Sequence, residues 1–130
     1  MSILGIGIDM VKVSRMETLI QRWDRRFLDR VFTGVEQDYC LQKPRAHVHF
    51  SGRFAMKEAV LKAIGTGLTD GVSWKDIETQ RNVSGLPVVH ISGRVHQLAG
   101  AMGVSDILGS ITHDHDYAIA QVILQGNRQP

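Results

Sequence analysis

Near the start of the chain apolar residues alternate with glycines instead of charges. As a strand, residues 3–9 would send Leu4, Ile6 and Ile8 to one face and Ile3, Gly5, Gly7 and Asp9 to the other. The face carrying Asp9 is thinned by glycine, which leaves room for backbone or a ligand to approach closely. A helical period takes over in the middle of the chain. There Ser51 can cap a helix, Gly65 can end it, and the residues between are mostly good helix formers. On that helix Glu58 and Lys62 lie on one face a turn apart, with Phe54 a turn earlier.

Other elements follow from local signals. Thr33 and Glu36 have capping-box spacing and open a helix to about Leu41, with Pro44 preventing any continuation. Residues 76–80 and 86–91 form a hairpin around residues 82–85. Ser92 caps a helix through Met102 that Gly103 closes. Residues 107–112 and 117–124 form a second hairpin, with Ala118, Ala120, Val122 and Leu124 alternating along its last strand. Residues 126–130 are expected to fray. The pattern predicts a single α+β domain over residues 1–130: a small antiparallel sheet of about four strands with several short helices. Such a sheet is hard to cover on both sides, so apolar surface at its edges favours assembly.

Composition narrows the setting. The 130 residues are 43% hydrophobic and 22% charged, enough apolar material for one modest core. A single cysteine, Cys40, excludes an intrachain disulfide and a thiolate cluster, and is expected to act as a small buried apolar residue. No apolar run is long enough to span a bilayer, and no basic leader precedes a cleavage signal. A soluble, cytoplasmic protein without membrane contact is expected.

Charge is uneven. Residues 1–62 carry 11 basic and 7 acidic side chains, whereas residues 63–130 carry 4 and 6. At helical spacing Arg15, Arg22 and either Arg25 or Arg26 share a face, with Leu19 between them. Such a run is often only a solvated face. Its functional reading is a docking surface for an acidic partner. Nucleic acid is disfavoured because the stripe is short, is interrupted by Glu17, Asp24 and Asp29, and has only Trp23 and Phe27 near it for stacking.

Alone, Asp9 would be a turn or capping residue and Glu58 half of a surface ion pair with Lys62. Together they carry more. The run Gly5-Ile6-Gly7-Ile8-Asp9 is followed by Arg15 and then by Arg53-Phe54-Ala55-Met56-Lys57-Glu58-Ala59-Val60-Leu61-Lys62-Ala63-Ile64-Gly65-Thr66-Gly67. This order resembles the acyl-carrier-protein synthase family of 4'-phosphopantetheinyl transferases. Ser84-Gly85-Leu86-Pro87, and Ser110-Ile111-Thr112-His113 before Tyr117-Ala118, extend the likeness over essentially the whole chain.

The resemblance implies the 4'-phosphopantetheinyl transferase fold and transfer of 4'-phosphopantetheine from coenzyme A to a serine of apo acyl carrier protein, in support of fatty acid biosynthesis. Asp9 and Glu58 match the family's metal ligands, for Mg2+ or, as a substitute, Mn2+. Two carboxylates about 6 Å apart would otherwise repel by roughly 3 kcal/mol at an effective dielectric of 20. Lys62 matches a lysine at the phosphates, and Glu58, directly or through a water, is the expected base. Arg45, Arg53, Gly65, Thr66, Gly67 and His113 fall at coenzyme A positions. Arg15, Leu19, Arg22, Arg25 and Arg26 fall on the carrier-protein docking helix. The family's homotrimer, with active sites between subunits, is implied too.

Two departures bear on the site. Lys12 stands where the family usually has an acid, which makes the surroundings of Asp9 more positive, and Met56 replaces a small residue as a packing change. His113-Asp114-His115-Asp116 falls where a hairpin turn is expected, so it is read as turn chemistry and not, with His47 and His49, as a metal cluster. The competing functions are a non-catalytic coenzyme A-binding module and a basic nucleic-acid-binding protein.

Overall fold

In the computed structural model, which describes residues 1–69 and 71–129, strand β1 (Ser2–Lys12) is crossed by the longest helix, α4 (Ala46–Ile64). The glycines of β1 make this crossing close. A Cβ on Gly5 would sit 2.4 Å from the carbonyl oxygen of Ala63, and one on Gly7 would sit 1.9 Å from that of Ala59. Of the two occupants the sequence allowed for the thinned face, backbone takes the space.

β1 pairs antiparallel with β5 (Tyr117–Gly126), and β5 pairs on its other side with β4 (Val104–His113), giving the order β1-β5-β4. A second, two-stranded sheet holds β2 (Ile77–Arg81) and β3 (Pro87–Ile91). Around them stand α1 (Val13–Trp23), α2 (Arg25–Val31), α3 (Gly34–Leu41) and α5 (Gly93–Met102). The α+β class with small antiparallel sheets is as expected, with five strands among the described residues instead of about four.

The main core lies between α4 and the three-stranded sheet. Ala55, Met56, Ala59 and Val60 pack with Ala120, Val122 and Leu124, all fully buried. Met56 fits because Gly109 faces it; a Cβ there would lie 2.8 Å from the Met56 methyl. A second cluster under α1 to α3 contains Met16, Leu28, Phe32, Cys40 and Phe50. Cys40 is fully buried there, and burial pushes its thiol up to about 12, so it acts as an apolar residue.

Several local expectations change, each for a tertiary reason. An irregularity in β1 between Ile3 and Gly5 turns Leu4 onto the core and puts Ile3 with Ile6, Ile8 and Met10 on the outer face. Helix α4 begins at Ala46, not at Ser51, because Val48 and Phe50 are also drawn into the interior. Ser51 then lies inside the helix and donates its hydroxyl to the His47 carbonyl at 2.7 Å. The basic run does not make one helix, since Asp24, at φ 48°, breaks it and leaves Arg25 and Arg26 on α2. Ser92 does not cap α5 through its side chain; the Asp76 carboxylate accepts from Val95 N–H at 3.4 Å instead. Gly126, assigned to the fraying tail, pairs with Ser2 and Val104.

Other signals hold. Thr33 and Glu36 form the capping box of α3, Gly65 closes α4 at φ 91°, and Gly103 closes α5. Among the described residues no helix is long and apolar enough to cross a membrane.

Candidate active site

The close crossing of β1 and α4 places the turn from Glu58 to Lys62 against Asp9. Lys62 Nζ donates to Asp9 Oδ1 at 2.9 Å and to the Ile8 carbonyl at 3.1 Å. The Asp9 side chain is 17% exposed and that of Lys62 54%, so the carboxylate is held while the ammonium still meets solvent. Their hydrogen bond keeps the Lys62 ammonium protonated beyond its usual range.

Asp9 and Glu58 open into one cavity of about 400 Å³. Lys12 and Arg15 supply cations to its wall, and Met16, Leu19 and Phe54 supply apolar surface. The Glu58 carboxyl is raised above its ordinary value, first by burial and then by the neighbouring Asp9 charge, with Lys62 opposing. Two oxygen-bearing groups repelling each other across an open cavity suit a hard divalent cation, which needs only one or two carboxylates when phosphates and water complete its shell. Among the described residues no cluster of three or more His, Cys, Asp or Glu forms a fuller cage.

The Gly65-Thr66-Gly67 loop leaves the C-terminal end of α4. Among the described residues nothing lies within 4 Å of where a Cβ would stand on Gly65 (φ 91°) or Gly67 (φ 63°), and Thr66 donates its hydroxyl to the Gly67 carbonyl at 2.7 Å. Backbone is thus presented bare beside Lys62.

The remaining basic positions gather elsewhere. Arg45 bonds to His115 Nδ1, and these two share a second cavity, of about 380 Å³, with His49 and His113. His113 stacks edge-on with His49 at 5.4 Å, and burial followed by the charges of His113 and Arg53 lowers His49 to about 4. Arg53 is only 2% exposed, its guanidinium lying 4.1 Å over the Tyr39 ring, which Lys43 and Arg81 approach at 4.7 and 5.3 Å. Among the described residues its Nε finds no hydrogen-bond partner. Thus Arg53 does not line the Asp9–Glu58 cavity. Tyr39, Lys43 and Arg81 were not singled out from sequence, because only the fold brings α3 and β2 to Arg53.

Of the docking positions, Arg15 and Leu19 line the carboxylate cavity. Arg22 lies over Trp23 at 5.2 Å, and Arg25 approaches Asp29 at 4.0 Å in an exposed pair of little energetic weight. Arg26 is exposed on α2. At residues 113–116 Asp114 Oδ1 accepts from the N–H groups of Asp116 and Tyr117, each at 2.8 Å, which is the expected turn chemistry. These bonds hold the Asp114 carboxyl below its ordinary value.

Comparison with known proteins identifies the family and the fold. The model of the 4'-phosphopantetheinyl transferase superfamily matches residues 5–122. The holo-[acyl-carrier-protein] synthase of Koribacter versatilis is 45% identical over 123 residues, covering 95% of this chain and 98% of its own. Among solved structures, the holo-[acyl-carrier-protein] synthase of Neisseria meningitidis superposes with a TM-score of 0.87 at 28% identity, covering 95% of this chain and 99% of its own. That of Helicobacter pylori, solved in complex with coenzyme A, does so with a TM-score of 0.82 at 30% identity, covering 92% and 99%.

Proposed function

The chain belongs to the 4'-phosphopantetheinyl transferase superfamily, and from that premise we propose that it transfers 4'-phosphopantetheine from coenzyme A to a serine of apo acyl carrier protein. The serine oxygen attacks the phosphorus on the pantetheine side of the diphosphate. The bond to the bridging oxygen breaks, and its electron pair leaves with adenosine 3',5'-bisphosphate. The observation that carries this reading is the meeting of Asp9 and Glu58 in one cavity beside Lys62.

Asp9 and Glu58 would hold Mg2+ or Mn2+, which when bound neutralises negative charge on the diphosphate. The chain's own groups do the rest. Lys62, steered by Asp9 and the Ile8 carbonyl, reaches phosphate oxygens from the exposed side. Glu58, whose affinity for a proton is raised by burial and by Asp9, accepts the serine proton directly or through a water. The bare loop of Gly65, Thr66 and Gly67 lets backbone approach the coenzyme, while Arg45 and His113, which share an open cavity, bind its anionic end; Arg53, buried against Tyr39, drops out of the coenzyme-binding set and acts on it only through its charge. Arg15, Leu19, Arg22, Arg25 and Arg26 form the docking surface, now over two helices, for an acidic carrier protein.

The assembly is a homotrimer with active sites between subunits, acting in the cytoplasm in fatty acid biosynthesis. Support for assembly comes from the outer face of β1, where Ile3, Ile6, Ile8 and Met10 are each about 60% exposed in one row. Mass spectrometry of apo acyl carrier protein incubated with the protein, coenzyme A and magnesium, with a chelator control, tests the reading. One added phosphopantetheine that requires protein and metal is expected. Coenzyme A binding without product, on a carrier that another transferase can modify, would leave only a binding module, and salt-sensitive RNA binding that survives Asp9→Ala would favour the nucleic-acid reading.

A further inference from the structure

Beside Glu58, and facing the opposite way, Lys57 is completely buried. Its ammonium donates to the Trp74 carbonyl at 3.1 Å and to the Ile77 carbonyl, and pairs with Glu36 Oε1 at 2.7 Å. Three protons thus meet three acceptors. Glu36, also fully buried, spends the same oxygen on the Thr33 N–H at 3.0 Å and its other oxygen on the Thr79 N–H at 2.9 Å. One ion pair therefore ties together α3, α4, β2 and the 3-10 turn at Trp74–Asp76.

A buried ion pair is a poor device for stability alone, because desolvation offsets most of the attraction, while the directional bonds fix geometry. What is fixed here leads to the cavity. The Trp74 ring packs on the Phe54 ring with centroids 5.0 Å apart, and Phe54 forms the cavity wall one turn of α4 before Glu58. We propose that Lys57 and Glu36 are a positioning pair for the transfer reaction, holding Trp74 and through it Phe54 so that the wall facing Asp9 and Glu58 keeps its shape. The inference rests on the transferase reading, and neither Lys57 nor Glu36 touches substrate.

The test compares wild type with Lys57→Met/Glu36→Gln, which removes both charges and keeps a side chain able to complete the capping box, and with Glu36→Gln alone, which keeps the hydrogen-bonding positions but leaves the buried Lys57 ammonium facing a neutral amide. Rates are expressed per folded molecule, and Trp23→Phe is placed in every background so that Trp74 is the only tryptophan. The double variant is expected to lose at least about tenfold in kcat with KM for coenzyme A within about twofold, and to show a larger acrylamide quenching of Trp74. Glu36→Gln, which leaves the buried ammonium uncompensated, should move both readouts in the same direction. Adding Trp74→Ala to the double variant should cost little more, because both changes act on the same wall. A wild type that forms no product sinks the transferase reading, and the quenching comparison then decides whether the pair holds Trp74. An active wild type with variants of unchanged kcat per folded molecule, or with costs from Trp74→Ala that simply add, overturns the positioning role. If the double variant does not fold, Trp74→Ala alone with unchanged kcat overturns it equally, because the pair reaches the cavity wall only through Trp74.

Discussion

Two lysines on α4 have opposite fates. Lys62 is half exposed and shares a hydrogen bond with Asp9 at the edge of a cavity, whereas Lys57 is sealed inside with every donor matched. Burial lowers the affinity of Lys57 for its proton, against the pull of Glu36, and the bond to Asp9 raises that of Lys62. The contrast separates two uses of charge on one helix. On the cavity side Asp9 and Glu58 keep acceptor capacity for a partner from outside; on the interior side both Glu36 oxygens and all three Lys57 protons are engaged within the chain.

Breaking the open side should cost the most. Asp9→Ala or Glu58→Ala is expected to slow carrier-protein modification about 10⁴-fold, or about 5.5 kcal/mol, with a nearly unchanged melting temperature. Mass spectrometric rates and calorimetry on the same samples check both halves of that statement, and near-normal turnover in either variant would end the assignment. On the closed side the effect moves to stability. Lys57→Met leaves the Glu36 carboxylate buried without its cation and should lose about 3–5 kcal/mol in denaturant unfolding, while Lys62→Met should lose less than about 1 kcal/mol. Thr33→Ala removes the hydroxyl that caps α3, and about 1 kcal/mol is expected from the same measurement.

The smallest effect is a pH dependence on the open side. In the metal-free protein Glu58 binds its proton more tightly than in the unfolded chain, so its ionised form destabilises the fold above the folded pKa, and the penalty is relieved as pH falls through that value. Glu58→Gln should therefore raise the melting temperature slightly at neutral pH and lose that advantage in acid. A melting series with chelator present, from neutral pH down through the carboxylate range, measures it.

What could be read from sequence was local or motif-borne. The capping box of Thr33 and Glu36 and the glycine ends of α4 and α5 need only a few adjacent residues to be recognised, and each is present. Asp9, Glu58 and Lys62 came from the order of the motifs, and the fold brings them together. Features set by distant contacts could not be read in this way. Asp24 adopts a backbone angle unusual outside glycine, and nothing local announces that the basic run breaks there. Nor does the motif reveal that Lys57, adjoining Glu58, turns inward to Glu36, or that Arg53 stacks on Tyr39. Serine before α5 looked like its cap, yet the competing carboxylate arrives from a residue far back in the chain.

The contact of Gly5 and Gly7 with the carbonyls of Ala63 and Ala59 has a consequence for how this molecule can vary. Where two segments meet through side chains, the gap between them drifts whenever a methyl group is gained or lost. Here main chain rests on main chain, so the separation of the strand bearing Asp9 from the helix bearing Glu58 is set by van der Waals contact between backbone atoms that every residue carries. Substitutions elsewhere in the core can accumulate without resetting that distance, and the width of the gap between Asp9 and Glu58 is insulated from the ordinary turnover of interior residues.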